Sequence, residues 1–233
     1  MTSSKTATVV LVHGAWADAS SWRRVIRLLH GKGLEVLAVQ NPTTSLADDV
    51  AATRLALDGI IGPVVLAGHS WGGTVIAEAG NDPKVKALVY VAAFAPEAGQ
   101  STGDQVAAHP APPGLGGVKD DGHGHLMMSV ASWIENVAQD LPEAEARLLS
   151  ATQTPLGLAT FGDKVSQAAW LDRPNWYVVS TEDRAVSVEL QRELASRLKA
   201  HTTALKASHM SLLSMPEAVA DVIAEAVSVT SGG

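Results

Sequence analysis

The sequence predicts an α/β fold: a mainly parallel sheet of about six strands, helices on both faces, and a helical insertion ahead of the last strands. Three observations carry this. Short apolar, β-branched runs alternate with segments whose apolar residues recur at helical spacing. The strand-like runs do not alternate with polar residues, as expected of strands buried on both faces. One stretch, Pro96 to Arg173, interrupts the rhythm.

In chain order, Ala7–Val12 is the first apolar run, ending at His13-Gly14. Trp22, Val25, Ile26 and Leu29 give Ser20–His30 one apolar helical face, which Gly31 and Gly33 close. Leu34–Val39 is the second strand. Ser45 caps a helix from Leu46 to about Asp58, with Asp48 and Asp49 in its first turn, where the dipole favours acids. Gly62-Pro63 breaks it, and Pro63–Ala67 is a strand. Gly72–Ala79 is a helix and Val85–Ala92 a strand. Beyond the interruption come strand Asn175–Ser180, helix Val188–Lys199, strand Thr202–Leu205 and helix Pro216–Val227, with Pro216 at a favoured first-turn position.

Pro96–Arg173 opens with prolines and glycines and then turns helical, around Trp133, Ile134 and Val137 and again over Pro142–Leu149. Long insertions in such sheets sit over the strand C-termini, where ligands bind. It reads as a cap insertion (96–173) on a single domain spanning 1–233, not as a second domain.

Bulk properties narrow the function. The 233 residues carry 17 Lys and Arg against 24 Asp and Glu, a net charge of -7. That balance disfavours nucleic acid and anionic membranes, which need basic patches. No cysteine is present, which removes disulfides, thiolate metal sites and cysteine nucleophiles. No apolar run reaches the roughly 18 residues of a membrane span, and no signal-peptide pattern opens the chain. The expected location is cytoplasmic.

The chemistry concentrates at Gly68-His69-Ser70-Trp71-Gly72-Gly73, between a strand and a helix. This is G-x-S-x-G in its strand–turn–helix setting. So sharp a turn strains the serine backbone and leaves no room for side chains at the flanking glycines. It lifts the Ser70 hydroxyl above the sheet, beside helix N–H groups that suit a developing oxyanion. His13-Gly14-Ala15-Trp16 closes the first strand; Ala15 is the expected second oxyanion donor, with Trp71 the first. His13 is expected to hold this loop by hydrogen bonds.

In sheets with this elbow an acid and then a histidine follow the serine. Asp183 lies just past the Asn175–Ser180 strand, and His209 lies between the last strand and last helix. Ser70, Asp183 and His209 are therefore the expected triad, with Glu182 as the alternative acid. Asp121-Gly122-His123-Gly124-His125 has no clear third ligand and reads as a cap loop; no metal or cofactor is expected. Trp16, Trp133, Phe161 and Met210 are candidate pocket residues, and Trp170, Met127 and Met128 could line it too. Ordinary packing explains them equally well.

Leu11–Trp16, Val65–Gly73, Ala87–Val91, Thr181–Arg184 and Ser208–Pro216, in this order, resemble the α/β-hydrolase superfamily over nearly the whole chain. More narrowly, they resemble bacterial α/β-hydrolases related to plant methylesterases and hydroxynitrile lyases. The resemblance implies a cofactor-free, carboxylesterase-type serine hydrolase acting on a small-molecule ester. Hydroxynitrile lyases of that lineage carry threonine where this chain has Gly14, and lysine where it has Met210. Both departures favour ester hydrolysis. Val186-Ser187 replaces a frequent isoleucine-proline after the acid. The competing expectations are a lyase or perhydrolase on the same triad, and a ligand-binding protein that turns nothing over.

Overall fold

A computed structural model of the chain describes residues 6–231. The elements, in chain order, are β1 (Thr8–Val12), α1 (Arg23–Gly31), β2 (Val36–Val39), α2 (Leu46–Asp58), β3 (Val64–His69), α3 (Trp71–Ala79), β4 (Val85–Val91), α4 (Thr102–Ala107), β5 (Val118–Asp120), β6 (His125–Met128), α5 (Val130–Ser132), α6 (Glu143–Ala151), β7 (Leu156–Gly157), β8 (Asn175–Ser180), α7 (Val188–Arg197), β9 (His201–Leu205), α8 (Ser211–Ser214) and α9 (Pro216–Ser231). Six strands form one parallel sheet in the order β2-β1-β3-β4-β8-β9.

The sheet divides the core in two because successive strand residues point to opposite faces. Val9, Leu11, Val65, Ala67 and Val89 pack with Leu29 of α1 and Ile223 of α9. Val10, Val12, Leu66, Leu88 and Tyr90 pack with Val50, Ile76 and Leu194, from α2, α3 and α7. The central strands β3 and β8 are buried along their whole length, which explains why residues 64–67 and 176–179 run apolar without alternation.

The chain leaves β1 toward β2 and then crosses back to place β3 on the other side of β1, with Val12 level with both Val39 and Gly68. The segments leaving β1 and β3 therefore diverge from neighbouring strand ends. That opens a crevice at the C-terminal edge of the sheet, where ligands bind in such folds.

Several local structures refine the expected elements. Ser20 does not start an α-helix. Asp18 accepts the Ser20 N–H at 2.7 Å and caps a 3₁₀ turn, Ala19–Trp22, before α1 begins. Ser45 caps α2 as expected, accepting from the Asp48 N–H at 3.1 Å. In the long β4–β8 connection, Ser101 and Asp104 form a reciprocal capping box for α4. The glycine-rich stretch is not loop throughout: β5, β6 and β7 form a small antiparallel sheet. Asp121 organises the β5–β6 turn by accepting from the N–H groups of His123 and His125, with Gly122 and Gly124 in left-handed conformations. Trp133–Val137 is a π-helical turn continuing α5. No helix among the described residues is long and apolar enough to cross a membrane.

Candidate active site

Ser70 sits between β3 and α3 with φ 53° and ψ −122°, a left-handed backbone rare outside glycine. Bonds on both sides hold that turn. The Ser70 N–H donates to the Val91 carbonyl at 3.2 Å, and the Ser70 carbonyl accepts from Gly73 at 2.9 Å and Phe94 at 3.2 Å. The glycines are required by close approach. A Cβ on Gly68 would lie 2.5 Å from the Gly72 carbonyl oxygen, and one on Gly72 would lie 2.5 Å from that of Val12.

As the first residue of α3, Trp71 has no intrahelical acceptor for its N–H, and neither it nor the Ala15 N–H has a hydrogen-bond partner among the described residues. Ala15 lies on the segment leaving β1, on the other side of the crevice. His13 fixes that segment: its Nδ1–H donates to the Gly14 carbonyl at 2.9 Å, and its Nε2 accepts from the Asn41 N–H at 3.0 Å. These partners require the neutral ring, and burial lowers the His13 pKa in the same direction.

His209 stands on the turn between β9 and α8, and its Nδ1 lies 2.7 Å from Asp183 Oδ2. Both side chains are buried. Asp183 Oδ1 accepts from the N–H groups of Ala185 at 2.7 Å and Val186 at 2.9 Å. Its Oδ2 also accepts from the Gln191 amide at 2.8 Å. Glu182 points elsewhere, 3.6 Å from exposed Lys206, so Asp183 is the acid in contact with the histidine.

His69 adds a link between the elbow and the histidine turn. Its Nε2–H donates to the His209 carbonyl at 2.9 Å, and the two rings lie 4.6 Å apart. Burial, then the neighbouring His209, holds the His69 pKa well below the usual histidine range.

One cavity collects these groups. Ser70, His209, His69 and Ala15 line it together with Trp16, Met128, Trp133, Phe161 and Met210. All four candidate pocket residues thus face it, as does Met128. Met127 and Trp170 do not; the Trp170 indole donates to the Pro96 carbonyl at 3.0 Å, within the core on the other face of the sheet. Trp71 does not line the cavity either, its indole being turned to Asp49. Ser70 Oγ makes no hydrogen bond among the described residues. His125 pairs with Asp121 at 3.1 Å on the surface, away from the cavity.

Gln191 and Asp140 were not foreseen. Asp140, just past the π-helical turn, accepts the Ser208 N–H at 2.8 Å, next to His209. The available signal for Gln191 was a polar residue three positions after Val188 and three before Leu194, on the inward face of α7. Asp140 gave none, because its partner is a distant backbone group.

A profile of the alpha/beta hydrolase family matches residues 9–222. The chain belongs to this family. It is 26% identical over 244 residues to a probable hydrolase, R7, of Phoma sp., covering 93% of this chain and 96% of that protein. It is 28% identical over 246 residues to a carbendazim hydrolyzing esterase of Nocardioides sp., covering 83% and 99%. Among solved structures, a pyrethroid hydrolase from Sphingobium faniae superposes with a TM-score of 0.81 at 21% identity, covering 96% of this chain and 98% of that one. At that identity the superposition speaks for the fold.

Proposed function

We propose that this chain hydrolyses a small carboxylic ester, with Ser70 as nucleophile, His209 as base and Asp183 behind it. The 2.7 Å contact between His209 Nδ1 and Asp183 carries the reading. An ionised carboxylate only accepts, so Nδ1 keeps its proton and the lone pair is left on Nε2. Ser70 and His209 line the same cavity. Nε2 takes the Ser70 proton as Oγ attacks the ester carbonyl. The free N–H groups of Ala15 and Trp71 receive the oxyanion. The imidazolium, stabilised by Asp183, returns the proton to the departing alcohol, and water repeats the sequence to release the acid.

Among the described residues, no lysine, arginine, aspartate or glutamate lines the cavity. That supports an uncharged, apolar ester, since a charged group would be desolvated without a partner. The 96–173 connection serves as a cap on a single domain, contributing Met128, Trp133 and Phe161 to the lining. Names of relatives such as the carbendazim hydrolyzing esterase agree with ester chemistry. The lyase reading fits less well: a Cβ on Gly14 would lie 2.8 Å from Ser70 Cβ, leaving no room for a threonine without displacing the nucleophile.

Ser70→Ala tests the mechanism. With p-nitrophenyl acetate, kcat is expected to fall by about 10³-fold or more, with an unchanged circular dichroism spectrum. A fluorophosphonate probe is expected to label the parent chain and not the variant. Retained turnover in Ser70→Ala refutes Ser70 as nucleophile, and an unlabelled parent points to a ligand-binding protein instead.

A further inference from the structure

Asp49 is a carboxyl group that the mechanism above does not use. It lies in the first turn of α2, where acids ordinarily face solvent, yet it is fully buried. No ion pair joins it to any cation among the described residues. An unpaired buried carboxyl is costly, and burial, opposed by its hydrogen bonds, raises its pKa to about 6. What it holds is specific. Oδ2 accepts the Trp71 indole N–H at 2.7 Å, and Oδ1 accepts the Thr43 backbone N–H at 2.7 Å.

Each donor belongs to a segment that needs holding. Trp71 follows the strained Ser70 directly, and its backbone N–H is one of the two assigned to the oxyanion. Its ring packs 6.3 Å from Phe161, a wall of the cavity. Thr43 has φ 58°, a left-handed backbone on a β-branched residue. The Thr43 carbonyl accepts from Gly157 of β7 at 2.7 Å, and its hydroxyl donates to the Pro155 carbonyl at 2.8 Å. One carboxylate thus ties α2 to the nucleophile turn and to the loop on which the β4–β8 connection is seated.

We propose that Asp49 is a positioning residue for the oxyanion hole: its grip on the Trp71 indole and on Thr43 fixes the Trp71 peptide, so that its N–H faces the oxygen that gains charge. This rests on the assignment of Ser70 as nucleophile. Asn is nearly isosteric but offers one acceptor and one NH₂ group, so Asp49→Asn turns one bond into a donor–donor contact. Trp71→Phe removes the indole donor while leaving the backbone N–H.

The test measures inactivation by a fluorophosphonate, resolved into the maximal rate and the half-saturating concentration, alongside kcat and KM for p-nitrophenyl acetate. Asp49→Asn is expected to lower both the maximal inactivation rate and kcat by ~10- to 100-fold, less than full loss of an oxyanion donor. KM should stay within about threefold, because the interaction acts mainly in the transition state. The double variant should be no worse than the poorer single one, since both remove the same contact. A folded Asp49→Asn with parental rates, or multiplicative losses in the double variant, overturns the proposal. Should Asp49→Asn fail to fold, Trp71→Phe decides: a loss confined to the rate terms supports the clamp, and parental rates refute it. A parent chain that is never labelled overturns the assignment of Ser70 itself, and the clamp with it.

Discussion

Asp183 spends its two oxygens differently. Oδ1 closes its own turn on the N–H groups of Ala185 and Val186, while Oδ2 meets His209 and the Gln191 amide. The acid is thereby aimed by its backbone and steadied by one side chain from α7. Gln191 is bonded at both ends, since its Oε1 accepts the Ser180 N–H at 2.9 Å. Replacing it by leucine keeps the volume, removes a charge-assisted bond and orphans a buried N–H. Together these should destabilise the fold by ~2–4 kcal/mol. A looser Asp183 should also lower kcat by about tenfold, equivalent to ~1.4 kcal/mol of transition-state stabilisation. Urea unfolding and ester kinetics on Gln191→Leu check both numbers. Parental kcat in a destabilised variant would mean that Gln191 supports the fold alone.

At the scale of elements, the β4–β8 connection does more than wall the cavity. Its segment around the π-helical turn holds both loops that carry the acid and the histidine. Gln139 donates to the Glu182 carbonyl at 2.7 Å, Gly114 N–H to the Arg184 carbonyl at 2.7 Å, and Arg184 to the Glu135 carbonyl at 3.1 Å. Asp140 accepts from Ser208. Asp140→Ala removes one bond between a carboxylate and a backbone N–H, worth ~1.5–3 kcal/mol. Faster amide exchange is expected at 207–210, with kcat reduced about 3- to 10-fold by analogy with loss of ~1 kcal/mol of positioning. Unchanged exchange there would show that the turn is held without Asp140. These stitches also mark where the sequence stopped being legible. The parallel strands announce themselves because burial on both faces forces apolar runs, and the Ser70 turn because only glycine fits beside it. The β5–β6–β7 sheet is built on two to four residues per strand, with glycines in the β5–β6 turn, too short for a periodic signal. Its stability comes from tertiary packing such as the Trp16 indole donating to the Leu126 carbonyl at 2.9 Å. A contact spanning that much sequence has no local signature.

For the whole molecule, three buried groups, His13, His69 and Asp49, are expected to shape the response to acid between pH 6 and 5. His13 and His69 have folded pKa values below the ordinary 6.5, chiefly from burial, with His69 well below. Such histidines bind protons preferentially when unfolded, so their share of stability is complete above pH 6.5 and is lost as the pH falls. Asp49 acts in the opposite sense. Its pKa is raised from 3.8 to about 6, so the folded state takes up the proton first and stability rises as pH falls from 6 toward 4. The carboxylates with lowered values lose their contributions only below 3.8 for Asp48, Asp104 and Asp121 and below 4.5 for Glu189, outside this window. Between pH 6 and 5, two histidines therefore oppose one aspartate, each able to change stability by up to ~1.4 kcal/mol per pH unit. The parent chain should lose stability on acidification over that interval. Asp49→Asn removes the opposing term and should lose it more steeply, by about 1 kcal/mol per unit. His69→Gln, whose amide can still donate to the His209 carbonyl, should make the loss shallower. Urea-unfolding free energies at pH 7, 6 and 5 for the three proteins measure the slopes. Parallel lines would place the acid sensitivity elsewhere in the chain, whereas slopes that fan out in this order locate it in the buried groups around the Ser70 turn.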